Sequence, residues 1–78
     1  MQSFSIDGAT AHPHAARRLA ESVPGAVPSG GEIAVRLTRD ETLAEGEYRI
    51  AAHGSTIEIA GGPFSGVIYG AEELIERS

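Results

Sequence analysis

The chain contains no cysteine and no lysine. Without cysteine there is neither a disulfide nor a thiolate zinc site to staple a small core. Without lysine, all the fixed positive charge rests on six arginines scattered along the chain, and eleven acidic residues leave a formal charge of −5. That balance excludes a surface that tracks nucleic-acid phosphates. No apolar run approaches the roughly 20 residues needed to span a bilayer, so no membrane partner is expected. A basic start followed by an apolar stretch, the mark of a signal peptide, is missing as well. A complete chain of this sequence would therefore be expected in the cytoplasm. Low-complexity tracts and internal repeats are absent, and only residues 24–31 have the composition of a loop or linker.

What remains is 78 residues, read as a single domain over 1–78. At this size folding buries roughly 60% of the surface of the unfolded chain. The net stability is then a few kcal/mol left over from much larger opposing terms, on the order of 100 kcal/mol each.

The hydrophobic patterning predicts six elements. Ser3-Phe4-Ser5-Ile6 alternates before Asp7-Gly8, a short strand with Phe4 and Ile6 inward. Pro13 suits the first turn of a helix, with Thr10 or His12 as N-cap. Ala15, Ala16, Leu19, Ala20 and Val23 follow at helical spacing opposite Arg17, Arg18, Glu21 and Ser22, until Pro24-Gly25 stops the helix. Ile33, Val35 and Leu37 share one face of a second strand. Tyr48, Ile50 and Ala52 share one face of a third, and residues 56–60 form a fourth. His53-Gly54 between them reads as the two-residue turn of a hairpin, with positive φ at both positions. Beyond Gly61-Gly62-Pro63, the residues Phe64, Val67, Ile68, Ala71, Leu74 and Ile75 form one helical stripe. Gly66 and Gly70 lie within it and would cost a helix roughly 1 kcal/mol each relative to Ala, which implies close approach of that helix to the sheet. The expected fold is α+β, a two-layer sandwich of order β-α-β-β-β-α, with a mixed four-stranded sheet and two helices on one face.

No grouping of reactive side chains meets the requirements of a catalytic or cofactor site. His12 and His14 flank Pro13 and diverge, and with His53 they lack a carboxylate at zinc-site spacing. The glycine run before the last helix resembles a phosphate cradle but has no P-loop lysine and no dinucleotide spacing. Glu72, Glu73 and Glu76 supply the paired carboxyls that glycoside hydrolysis uses, yet neighbours on a solvated helix face have nothing to raise one pKa. Ser55 and Ser65 lack a positioned base. No cofactor and no metal are expected. Tyr69 stands off the apolar stripe, near Ser65, Glu72 and Glu73, and two readings stay open for it: a half-buried edge of the core or a contact for a partner.

The segment 46–75, with the pattern formed by Tyr48, Ile50, Ile57, Ile59, Gly66, Tyr69, Gly70 and Leu74, resembles the small non-catalytic domain that precedes the barrel in β-N-acetylhexosaminidases, α-glucuronidases and related glycosidases. The resemblance implies a mixed sheet whose two helices lie against the catalytic barrel. It implies too that those eight residues are structural and that the catalytic carboxylates belong to the barrel. This chain departs in having a clipped loop at 24–31. The expected function is that of a non-catalytic accessory domain whose partner is a catalytic barrel in cis, or a second copy through self-association; the alternative is a free-standing interaction or oligomerisation module. Ser65, Tyr69 and Glu73 are the expected partner-facing residues.

Overall fold

The computed structural model describes residues 3–77. The elements run β1 (Phe4–Asp7), α1 (Pro13–Ser22), β2 (Ile33–Arg39), β3 (Tyr48–His53), β4 (Thr56–Gly61) and α2 (Gly66–Arg77), in the expected β-α-β-β-β-α order. They form one mixed sheet in the spatial order β1-β2-β4-β3. β1, β2 and β4 are parallel, and β3 is antiparallel to β4 at the edge. The crossover through α1 makes β1 and β2 parallel as chirality requires. The loop after β2 carries the chain past one strand position to the edge, and the hairpin then folds β4 back into the gap.

Registers Val35↔Ile57, Leu37↔Ile59 and Ile50↔Ile59 stack the inward side chains in rows across the sheet. Above them the core is closed by Ala15, Ala16 and Leu19 of α1 and Val67 and Ala71 of α2, so both helices cover the same face. Ala15, Ala16 and Ala71 on the inner faces of the helices let them lie close. Gly66 and Gly70 carry this furthest. A Cβ on Gly66 would stand 2.5 Å from the Glu47 carbonyl oxygen, and one on Gly70 2.5 Å from Cγ2 of Ile59. The glycine pair is thus the packing device its spacing suggested.

On the helix-free face Ala60 is nonetheless buried. It lies between Thr38 and Arg49 in the ladder, and the Arg49 guanidinium donates to Asp40 at 3.2 Å. Asp40 also accepts from the Thr42 N–H and hydroxyl. These bonds, Thr42's first, hold its carboxyl below the usual carboxylate range.

Three expectations are corrected. His53 ends β3 and pairs with Thr56, so the hairpin turn is Gly54-Ser55. Only Gly54 takes positive φ there, +60°, the pattern of a II′ turn with glycine first, which matches the twist of the flanking strands and relieves His53 of any strain. Phe64 is not on the helical stripe. It precedes the helix at φ +66° and is 82% exposed. Ala20 faces solvent, because α2 covers only the Ala15, Ala16 and Leu19 side of α1. The N-cap of α1 falls on His12, one of the two residues expected there, with Pro13 next to it and no side-chain cap bond.

Candidate partner-docking surface

Two loops meet at the end of the sheet where β2 and β4 finish. The Gly62 N–H donates to the Glu47 carbonyl at 2.8 Å and the Gly46 N–H to the Pro63 carbonyl at 3.4 Å. Glu47 closes its own turn, accepting the Ala44 N–H on Oε1 while its N–H reaches the Ala44 carbonyl. Residues 40–47 and 62–66 are thereby stitched into one platform under the start of α2. Ser65 immediately precedes that helix and accepts the Tyr69 N–H on its carbonyl.

Tyr69 leans over this platform. Its ring edge lies 3.4 Å from the place a Cβ on Gly46 would occupy, yet the residue stays 52% exposed. Helical side chains point back toward the N-terminus, which brings the Tyr69 ring toward the turn that carries Phe64. Glu73, one turn further along α2, accepts from the Tyr48 hydroxyl at 3.1 Å and from Arg77 Nε at 3.1 Å. The bond to Glu73 raises the Tyr48 phenol above its ordinary pKa, because losing the proton would lose the bond. Of the three expected partner-facing residues, Tyr69 is exposed, whereas Ser65 and Glu73 are half-buried. Glu73 serves to tie α2 to the edge strand.

On the outer side of the helix layer Arg18 clamps α2 to α1. Its Nε and Nη2 donate to the two carboxylate oxygens of Glu72 at 2.7 and 3.0 Å, and Nη1 donates to the Ser22 hydroxyl. The forked geometry is the strong form of such pairs. Hydrogen bonding from Arg18 lowers the Glu72 pKa, and the same bond raises that of Arg18. Opposite charges on two helices that share a sheet face could have suggested the pair from sequence. The relative sliding of the helices, which decides whether they meet, could not.

A lowered folded-state pKa means the clamp contributes fully above the ordinary glutamate value of about 4.3 and is lost as pH falls through the lower folded value. Parent protein should thus lose more stability than Glu72→Gln on acidification from about pH 5 to about pH 3. Denaturation midpoints at both pH values check this. Equal losses in parent and variant would remove the clamp from the account.

The groupings considered as chemistry are dispersed. His12 and His14 lie at the start of α1, at the end of the sheet where β1 finishes, while His53 lies at the opposite end beside the hairpin turn. Among the described residues no three metal-ligating side chains converge. The glycine turn has its Gly62 amide occupied by Glu47, which leaves little of an anion cradle. The Glu72 carboxyl is shifted in the direction opposite to that of a general acid. Among the described residues no helix is long and apolar enough to cross a membrane. An apolar groove of about 640 Å³ opens between the C-terminal ends of the helices, lined by Leu19, Val23, Ile33, Ile57, Leu74 and Ile75.

Residues 6–76 match the family described as glycosyl hydrolase family 20, domain 2. The chain belongs to that family. The match spans all six elements except the first two residues of β1 and the last of α2, and selects the hexosaminidase side of the resemblance over the glucuronidase side. Domain 2 is the non-catalytic accessory domain of these glycoside hydrolases. No individual curated protein and no solved structure matches the chain.

Proposed function

We propose that residues 1–78 act as one accessory domain of a family 20 glycoside hydrolase, packing the helix layer against the catalytic barrel and steadying it. The observation that carries this reading is the family match over 6–76. It is supported by the half-exposed Tyr69 on the flank of α2 and by the groove between the helix ends, apolar surface that a neighbouring domain would cover.

The isolated chain should release no chromophore from aryl N-acetylglucosaminides, and its melting temperature should rise when a family 20 catalytic domain from the same genome is supplied. A ligand at 100 times its Kd adds about 2.7 kcal/mol. Turnover abolished by Glu72→Gln or Glu73→Gln would overturn the accessory reading. A melting temperature that ignores the catalytic domain but rises with the chain's own concentration would favour the self-associating module.

A further inference from the structure

Phe64 is held in the left-handed region at φ +66° and displays its ring to solvent, 82% exposed. That conformation is an outlier for a bulky side chain and carries strain. Exposure of the ring forgoes the gain that burial would bring, so the isolated domain gets no return for the strain at this residue. The turn is not loose. Pro63 before it is bonded to Gly46, Ser65 after it begins the α2 hydrogen-bond ladder, and Gly62 is bonded to Glu47. A rigid platform therefore presents an aromatic knob, with the half-exposed Tyr69 ring resting on Gly46 of the same platform.

The rim of this patch is acidic. Asp40, Glu41, Glu45 and Glu47 belong to the 40–47 loop, and the arginines beside them, Arg39 and Arg49, are taken up by Glu41 and Asp40. Two copies meeting here would bring their carboxylates together, which opposes a dimer through this patch. A sugar stacked on the rings would need polar groups turned toward its hydroxyls. Most of those on the rim are engaged: Glu47 with Ala44, Asp40 with Thr42 and Arg49, Glu41 with Arg39, and Glu73 behind them with Tyr48 and Arg77.

We propose that Phe64, flanked by Tyr69, is the anchor by which this domain docks on its catalytic domain, entering an apolar recess bordered by basic side chains. Aromatic knobs of this kind dominate interface energetics, with a polar rim that adds orientation and rate. The inference rests on the docking reading above and names the part of the surface that carries it.

The test measures affinity between the chain and a family 20 catalytic domain from the same genome by calorimetric titration. Phe64→Asn keeps a residue that tolerates the left-handed region, so its melting temperature should equal or exceed the parent's while binding weakens at least about tenfold, the effect of an anchor residue. Tyr69→Ser should weaken binding in the same direction, and His53→Ser, at the far end of the sheet, should leave it unchanged. Binding should weaken with added salt, less so in Glu45→Gln. If the parent binds and Phe64→Asn binds equally well, the anchor is wrong while the docking reading stands. Failure of the parent to bind sinks both. Saturable binding of N-acetylchitotriose that Phe64→Asn abolishes would overturn the proposal in favour of a sugar platform, and a parent dimer in sedimentation equilibrium that Phe64→Asn dissociates would overturn it in favour of a second copy.

Discussion

Gly66→Leu is expected to cost about 3 kcal/mol or more, at or above the upper end for overpacking. The obstacle is backbone: the new Cβ alone would meet the Glu47 carbonyl oxygen at 2.5 Å and the Gly61 carbonyl carbon at 2.9 Å. Neither can rotate away as a side-chain terminus would, since the Glu47 carbonyl is also the acceptor for Gly62. Against a total of roughly 4 to 12 kcal/mol for a chain of 78 residues, the loss is large. Gly66→Ala has two opposing terms. Its helix-propensity gain is at most about 1 kcal/mol and smaller at the first residue of α2, so the clash should prevail and the variant should also be destabilised. Denaturant midpoints at unchanged m-value measure both. An alanine variant as stable as the parent would mean the helix can lift off the loop.

Ile59→Ala should cost about 2–5 kcal/mol, the range for truncating a buried aliphatic that the surroundings cannot replace. Ile59 is wholly buried on β4, paired to Leu37 on one side and Ile50 on the other, with α2 above. The same residue sets the second glycine, because its Cγ2 is the atom that a Cβ on Gly70 would strike at 2.5 Å. Gly70→Ala alone should therefore be destabilising, while in the Ile59→Ala background the methyl group has room. The double variant should be more stable than the sum of the single losses predicts, with a coupling of about 0.5–3 kcal/mol. Strict additivity would show that Gly70 and Ile59 do not oppose one another.

Much of this arrangement was readable because it rests on short-range periodicity. The strand faces of Ile33, Val35 and Leu37 and of Tyr48 and Ile50 follow from alternation, and the α2 stripe from Val67 to Ile75 follows from helical spacing. Pro13 and Pro24 bound α1 for local steric reasons. Even the packing role of Gly66 and Gly70 was legible, since glycine inside an apolar helix face has to be offset by something. The errors fell where one residue decides the geometry. Placing the hairpin turn one residue early moved His53 out of its strand. Extending the helical stripe back to Phe64 hid the most exposed aromatic in the fold.

Residue spacing by itself determined the α+β class, the order of the elements and the shared face of the helices. Tertiary structure alone decided the strand order β1-β2-β4-β3, the clamp between Arg18 and Glu72, the bond from Tyr48 to Glu73, and the platform that holds Phe64 outward. The physical reason is range. Periodicity reports which side of an element seeks the core, a property of neighbours along the chain. Which strand lies beside which, how far two helices slide and which carbonyl a loop amide finds depend on contacts between residues as far as 54 positions apart, as Arg18 and Glu72 are.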